Sequence, residues 1–132
     1  YTGYPFDKDK VSVLKVLIVD DDNMILEIMA KTLTAAGYNV IKSGDGNDAL
    51  VQLQSQNFDI VVTDNVMPHG GSAPIAAYIR TEDPRLPLLV VSSGMPDTAL
   101  ETDNILYKPF KRRELLEAVR QTLEQAGRIL PP

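Results

Sequence analysis

The sequence predicts a five-stranded, doubly wound α/β domain with a mostly parallel sheet. Short apolar runs alternate with helical stretches, and the strongest runs are continuous and rich in β-branched residues, as in strands covered on both faces. The chain has 132 residues, 44% of them apolar, which suits one domain with a sizeable core. Strands that alternate with helices imply right-handed crossovers and an open sheet with helices on both faces.

Each element has its own local signal. Three strong strands are predicted at 16–19, 60–62 and 88–91, and two weaker ones at 39–42 and 104–108. Helices are predicted at 24–36, 48–56, 75–81 and 111–125. The first helix ends at Gly37, and the third follows Ser72 and Pro74 and ends before Pro84. The predicted buried stripes are Ile25, Ile28, Met29 and Leu33 in the first helix, and Leu115, Leu116, Val119 and Leu123 in the last.

Composition narrows the class of protein. Residues 1–12 are interpreted as a linker or remnant, 13–127 as the domain and 128–132 as a tail. A net charge of −5 argues against binding to nucleic acid. Cysteine is absent, which excludes disulfides and thiolate metal sites. No apolar run is long enough to span a membrane, so we expect a cytoplasmic chain without a membrane contact of its own.

Polar side chains follow the predicted strands at their carboxyl ends. Three acids, Asp20 to Asp22, follow the first strand, Asp64 the third, Ser92 and Ser93 the fourth, and Lys108 ends the fifth. Ligands of open α/β sheets bind at this edge. Clustered carboxylates repel one another unless a cation is present, and hard oxygen ligands suit Mg²⁺. The pattern therefore indicates metal-assisted phosphoryl chemistry with a carboxylate nucleophile.

Each residue also has an ordinary structural interpretation. Asp22 could serve only as the N-cap of the next helix, Ser92 as a turn residue and Lys108 as a solvated tip. The joint occurrence of such residues on four separate strand ends favours a functional site.

Four motifs carry a family resemblance. They are KVLIVDDD at 15–22, DIVVTDNVMP at 59–68, LPLLVVSS at 86–93 and YKPF at 107–110. With them the chain resembles the receiver domain of two-component response regulators, which has a flavodoxin-like (CheY-like) fold. The resemblance covers residues 15–126.

The resemblance implies a role for each acid. Asp64 resembles the aspartate that accepts a phosphoryl group from a phosphohistidine. Asp20 and Asp21 resemble the acidic pair that holds Mg²⁺, for which Mn²⁺ is a substitute, with Asp64 and the backbone carbonyl of Val66 as further ligands.

It also implies how the phosphoryl group is contacted. Ser92 and Lys108 resemble the residues that contact its oxygens, and the bond from Lys108 to Pro109 resembles one that is cis in the family. Ile105 stands where the family usually has an aromatic switch residue. Tyr107 lies on the same strand face and is a second switch candidate beside Ser92, or else a rim aromatic.

The expected function is a phosphoacceptor signalling domain rather than an enzyme, and the expected partner is a histidine kinase or a histidine phosphotransfer protein. We expect a monomer. Ser92 and Lys108 are closer in sequence than the resemblance suggests, so the fourth helix of the family is predicted to be shortened or absent. This compressed stretch resembles receivers at the carboxyl end of hybrid histidine kinases.

Two alternatives remain. A pseudo-receiver would keep the fold as an interaction module and never carry phosphate; its usual mark, a lost acceptor or acidic pair, is not seen. A haloacid-dehalogenase-like phosphatase would use the acids after the first strand as its nucleophile motif. That family needs a late acidic pair, and no Asp follows Asp103.

Overall fold

A computed structural model describes residues 13–67, 71–94, 102 and 104–130. The strands are β1 (Lys15–Val19), β2 (Asn39–Ser43), β3 (Ile60–Asp64), β4 (Leu88–Ser92) and β5 (Ile105–Tyr107). The helices are α1 (Asn23–Ala35), α2 (Gly46–Ser55), α3 (Ala73–Glu82) and α4 (Arg112–Gln125). All five predicted strands and all four predicted helices are therefore present.

The strands form one parallel sheet in the order β2-β1-β3-β4-β5. This is the flavodoxin-like order of the doubly wound class, which confirms the predicted fold class. The strand order reverses next to β1, because the chain crosses from β1 to β2 on one side and then to β3 on the other. The carboxyl ends of β1 and β3 are neighbours, and they meet where a ligand site is expected.

The core lies on both faces of the sheet. One cluster joins the sheet to α2 and α3 through side chains such as Ala49, Leu53 and Ile75. The other joins it to α1 and α4 through side chains such as Met29, Leu33 and Leu115. Burial on both faces explains why β1, β3 and β4 read as continuous apolar runs.

Side-chain caps set the starts of two helices. Asp22 accepts from the N–H groups of Met24 and Ile25 and begins α1. Asp45 accepts from the N–H of Asp48 and begins α2 at Gly46, two residues before the predicted start. The sequence pattern missed this start because the first turn carries no apolar signal.

One member of the predicted stripe of α1 is not in the core. Ile28 is 42% exposed, and Leu26, which the prediction omitted, is buried. The covered face of α1 is therefore rotated towards Leu26, and Ile28 lies on the solvent side.

The connection between β4 and β5 contains no helix among the residues that the structure describes. The four observed helices fit the predicted shortening or loss of the family's fourth helix. The predicted linker at 1–12 lies outside the described residues. Within the described ranges, no helix is long and apolar enough to cross a membrane.

Candidate functional site

The carboxyl ends of the strands bring three carboxylates together. Asp20 directly follows β1, Asp21 comes next, and Asp64 is the last residue of β3. One oxygen atom from each lies within 4.8 Å of the others. We call these three residues the acid cluster. The structure thus assembles the predicted carboxylates in one place.

Asp20 is the most deeply buried member of the acid cluster. Its side chain has no exposed surface, whereas Asp21 is exposed. The N–H of Asp22 donates to Oδ1 of Asp20 at 2.9 Å. Burial raises the pKa of the Asp20 carboxyl, the Asp22 N–H opposes this, and the nearby Asp64 raises it further. A cation bound in the cluster would offset both the lost solvation of the Asp20 carboxylate and its repulsion by Asp64.

Lys108 supplies positive charge at the same place. Its Nζ lies 3.5 Å from Oδ2 of Asp20 and 3.4 Å from Oδ1 of Asp64. Its backbone N–H donates to the Ser92 carbonyl at 2.8 Å, which continues the pairing of β4 with β5. The peptide bond from Lys108 to Pro109 is cis. A single ammonium therefore contacts two acids that come from different strands.

Asp22 does not belong to the acid cluster. Its carboxylate accepts from Met24 N–H at 2.9 Å and Ile25 N–H at 3.3 Å. The capping interpretation that the sequence left open for this residue is confirmed. Asp22 still touches the site, because its own N–H is the donor to Asp20.

The Ser92 hydroxyl is occupied locally. Ser92 ends β4 and is 1% exposed, and its Oγ donates to the Gly94 carbonyl at 2.7 Å. The sequence did not predict Gly94 as its partner. Ser92 therefore lies at the predicted strand end with its hydroxyl committed to the following loop.

The two other switch candidates differ in exposure. Ile105 is half-buried and packs on the core, whereas Tyr107 is 52% exposed. Tyr107 is paired in register with Ser92 across β4 and β5. Its exposure fits the interpretation of Tyr107 as a rim aromatic in this conformation.

Val66 directs its side chain to solvent. The side chain is 73% exposed, two residues after Asp64, and the N–H of the intervening Asn65 donates to the Val91 carbonyl at 3.0 Å. This bond holds the loop against β4. Val66 thus follows a residue that is bonded to β4, two positions after Asp64.

The donor set fits a hard divalent cation. Three carboxylates that repel one another, with one lysine beside them, leave net negative charge in a partly buried pocket. Mg²⁺ binds oxygen ligands and keeps several waters, so it needs few protein ligands. The acid cluster and an added backbone carbonyl match that need.

Comparison with known proteins agrees with this geometry. The family model described as "Response regulator receiver domain" matches residues 16–120. The probable transcriptional regulatory protein TcrX of Mycobacterium tuberculosis is 29% identical over 118 residues, 85% of this chain and 50% of that protein. The receiver protein CpdR of Brucella abortus is 30% identical over 116 residues, 83% of this chain and 96% of that protein.

Solved structures show the same likeness. The chemotaxis response regulator CheY4 of Vibrio cholerae superposes with a TM-score of 0.78 at 28% identity, covering 84% of this chain and 99% of that one. A response regulator receiver protein from Sinorhizobium medicae gives 0.79 at 28% identity, covering 89% and 99%. The chain spans about half the length of several curated relatives that it matches. With its sheet order, its acid cluster and these matches, the chain belongs to the family of response regulator receiver domains.

Proposed function

We propose that Asp64 accepts a phosphoryl group from a phosphohistidine in a Mg²⁺-dependent reaction, and that this changes the conformation of the domain. The observation that carries the proposal is the acid cluster with Lys108 bound to two of its members, at 3.5 and 3.4 Å. A cluster of carboxylates of which two are buried is unfavourable for the fold, so its presence indicates a functional role.

The transfer is a displacement at phosphorus. An Asp64 carboxylate oxygen forms the new P–O bond while the P–N bond of a phosphoimidazole protonated on its other ring nitrogen breaks, so that neutral imidazole leaves with that proton and the P–N electron pair. Asp64 is 8% exposed, so its carboxylate is accessible to a donor while most of its surface is covered by protein. A low dielectric strengthens the charge interactions that act on the transferred group.

The remaining residues hold the ion and the phosphoryl oxygens. Asp20, Asp21 and the Val66 carbonyl would bind the ion, Mg²⁺ or Mn²⁺, with Asp64. Mg²⁺ supplies positive charge that offsets the charge of the transferred group. Lys108, now paired with Asp64, would pair with a phosphoryl oxygen instead.

Ser92 would couple phosphorylation to a change of shape. To donate to a phosphoryl oxygen, its hydroxyl must leave the Gly94 carbonyl, which frees the loop after β4. Tyr107 and Ile105 lie on the neighbouring strand and are the side chains placed to follow that movement. The two states differ by whether Ser92 bonds to the loop or to the phosphoryl group.

A histidine kinase or a histidine phosphotransfer protein fits the surface next to Lys108. An apolar groove beside it is lined by Ile25, Ile28, Pro109 and Phe110. The exposed Ile28 gives this groove an apolar rim outside the core. The ATP that charges such histidines is cytoplasmic, so we place the domain in the cytoplasm, either as a single protein or as part of a hybrid histidine kinase.

Intact mass tests the acceptor directly. The purified chain is incubated with acetyl phosphate with and without Mg²⁺, beside an Asp64→Ala variant. We expect the mass of one phosphoryl group to be gained only when both Mg²⁺ and Asp64 are present. Circular dichroism of the variant serves as the control for folding.

The opposite result favours a pseudo-receiver. If the folded wild-type chain binds Mg²⁺ yet gains no mass, the domain acts through its surface alone. A gain that persists in the Asp64→Ala variant would show that another residue is the acceptor.

A further inference from the structure

Ser43 lies between helix α2 and the backbone of the acid cluster. It ends β2 and is 1% exposed. Its carbonyl accepts from the Asp20 N–H at 3.1 Å. Its hydroxyl donates to Oδ2 of Asp48 at 2.7 Å. One buried residue thus bonds both to the residue that carries the buried carboxylate and to the first turn of α2.

Asp48 is itself fixed by the start of its helix. Its N–H donates to Oδ1 of Asp45, the N-cap of α2, at 2.8 Å. A carboxylate in the first turn is also favoured by the helix dipole. The acceptor for the Ser43 hydroxyl is therefore anchored to α2.

The hydrogen bond from the Ser43 hydroxyl to Asp48 is not needed to hold β2 in the sheet. The ladder between β1 and β2 already pairs five residues on each strand, up to Val19 with Ser43. What the hydroxyl adds is a fixed orientation of the strand end, from which the Asp20 N–H bond continues into the loop after β1. The hydrogen bond between Ser43 and Asp48 therefore fixes the backbone next to the acid cluster.

We propose that Ser43 and Asp48 are positioning residues for the metal and phosphoryl site. Mg²⁺ accepts little error in ligand distance, so a small displacement of Asp20 or Asp21 weakens binding. The route runs from α2 through the Asp48 carboxylate and Ser43 to the Asp20 backbone. The inference rests on the proposed function, because it assigns these residues to the same site.

The test compares metal affinity with stability in four variants. Ser43→Ala and Asp48→Ala remove the hydrogen bond, and Asp48→Asn keeps an oxygen acceptor without the charge. The matched control is Thr122→Val, which removes a buried hydroxyl that donates to the Ala118 carbonyl at 2.7 Å in α4. The affinity for Mg²⁺ is measured by isothermal titration calorimetry, the phosphorylation rate with acetyl phosphate, and the melting temperature in EDTA.

We expect Ser43→Ala and Asp48→Ala to weaken Mg²⁺ binding about tenfold. Asp48→Asn should stay within about twofold of wild type, because its oxygen still accepts from the hydroxyl and a charge on the exposed side of α2 is screened. Thr122→Val should lower the melting temperature and leave Mg²⁺ affinity and phosphorylation rate unchanged.

Two results would overturn the positioning role while the proposed function stands. In the first, wild type is phosphorylated, and both alanine variants bind Mg²⁺ like wild type but melt at lower temperature. In the second, Asp48→Asn is as weak as Asp48→Ala, so that Asp48 acts through its charge. Failure of wild type to bind Mg²⁺ would instead overturn the proposed function and this inference together.

Discussion

The two ends of the sheet surround their carboxylates in opposite ways. At the carboxyl end, Asp20 is fully buried beside Asp64, and burial raises the pKa of its carboxyl. At the amino end, Asp59 precedes β3 and accepts from the Lys15 N–H at 2.7 Å and from Arg128 at 3.1 Å. The carboxyl end thus holds like charges together, whereas the amino end gives its carboxylate two hydrogen-bond donors.

The amino end joins segments that are distant in sequence. Asp59 connects the start of β1, through Lys15, to Arg128, three residues after the end of α4. Arg128 also donates to the Arg85 carbonyl, before β4, at 3.4 Å. The residues predicted as a tail thus begin with contacts to the domain, and Ile129 packs on the core. The amino end pairs its carboxylate with donors, while the carboxyl end holds the unfavourable charge arrangement on which the proposed function rests.

The largest expected effect is that of Asp20→Asn. The variant loses a charged ligand, so we expect the rate of phosphorylation by acetyl phosphate to fall more than about 100-fold. The neutral amide also removes a desolvated charge from beside Asp64. The melting temperature in EDTA should therefore rise above that of wild type, while the shift caused by Mg²⁺ disappears.

The rise in melting temperature expected for Asp20→Asn in EDTA should depend on pH in a definite direction. A pKa of Asp20 raised above its ordinary value means that folded wild type binds its proton more readily than the unfolded chain does. The penalty is full at pH values well above the folded pKa and is lost as pH falls through that pKa. The melting temperatures of Asp20→Asn and wild type in EDTA should therefore converge on acidification; a variant less stable than wild type at neutral pH would contradict the comparison.

The sequence predicted which residues meet at the edge of the sheet better than it predicted the hydrogen bonds that they and other residues form. Continuous apolar runs located the strands, and parallel strands put Asp20, Asp64 and Lys108 at one edge without further information. The bond from Ser92 to Gly94 was missed because it depends on a side-chain rotamer. The contact of Arg128 with Asp59 was missed because it spans 69 positions, and no local pattern encodes it.

Two features of the helices were also missed, each for its own reason. The start of α2 depends on a cap rather than on apolar spacing, and the exposure of Ile28 depends on how α1 is rotated against the sheet. The spacing of apolar residues predicts that a helix exists and which face is apolar, but packing against the sheet decides which residues of that face are buried.

A smaller effect, on stability alone, is expected for Asp59→Ala. The variant leaves the Lys15 N–H without its acceptor and the Arg128 guanidinium with only the Arg85 carbonyl, which should lower the free energy of unfolding by about 1–2 kcal/mol. Urea unfolding measures this loss. The phosphorylation rate should match wild type, because the change is at the opposite end of the sheet from Asp64.

The control for Asp59→Ala is a solvated ion pair. Glu27 on α1 contacts Lys42 on β2, and both side chains are about half exposed. Glu27→Ala should leave the urea midpoint near that of wild type. Equal losses in the two variants would show that the amino-end contact is no stronger than a surface pair.

The smallest expected effect is that of Arg128→Ala. Asp59 keeps the Lys15 N–H, and the backbone N–H at 128 still donates to the Leu123 carbonyl, so the loss should be about 0.5–1 kcal/mol. A double-mutant cycle with Asp59→Ala isolates the coupling of the two side chains, which should shrink in high salt. A coupling near zero would leave Asp59 to act through the Lys15 N–H alone. The amino end would then be stabilised by the bond from the Lys15 N–H to the Asp59 carboxylate and not by the contact with Arg128.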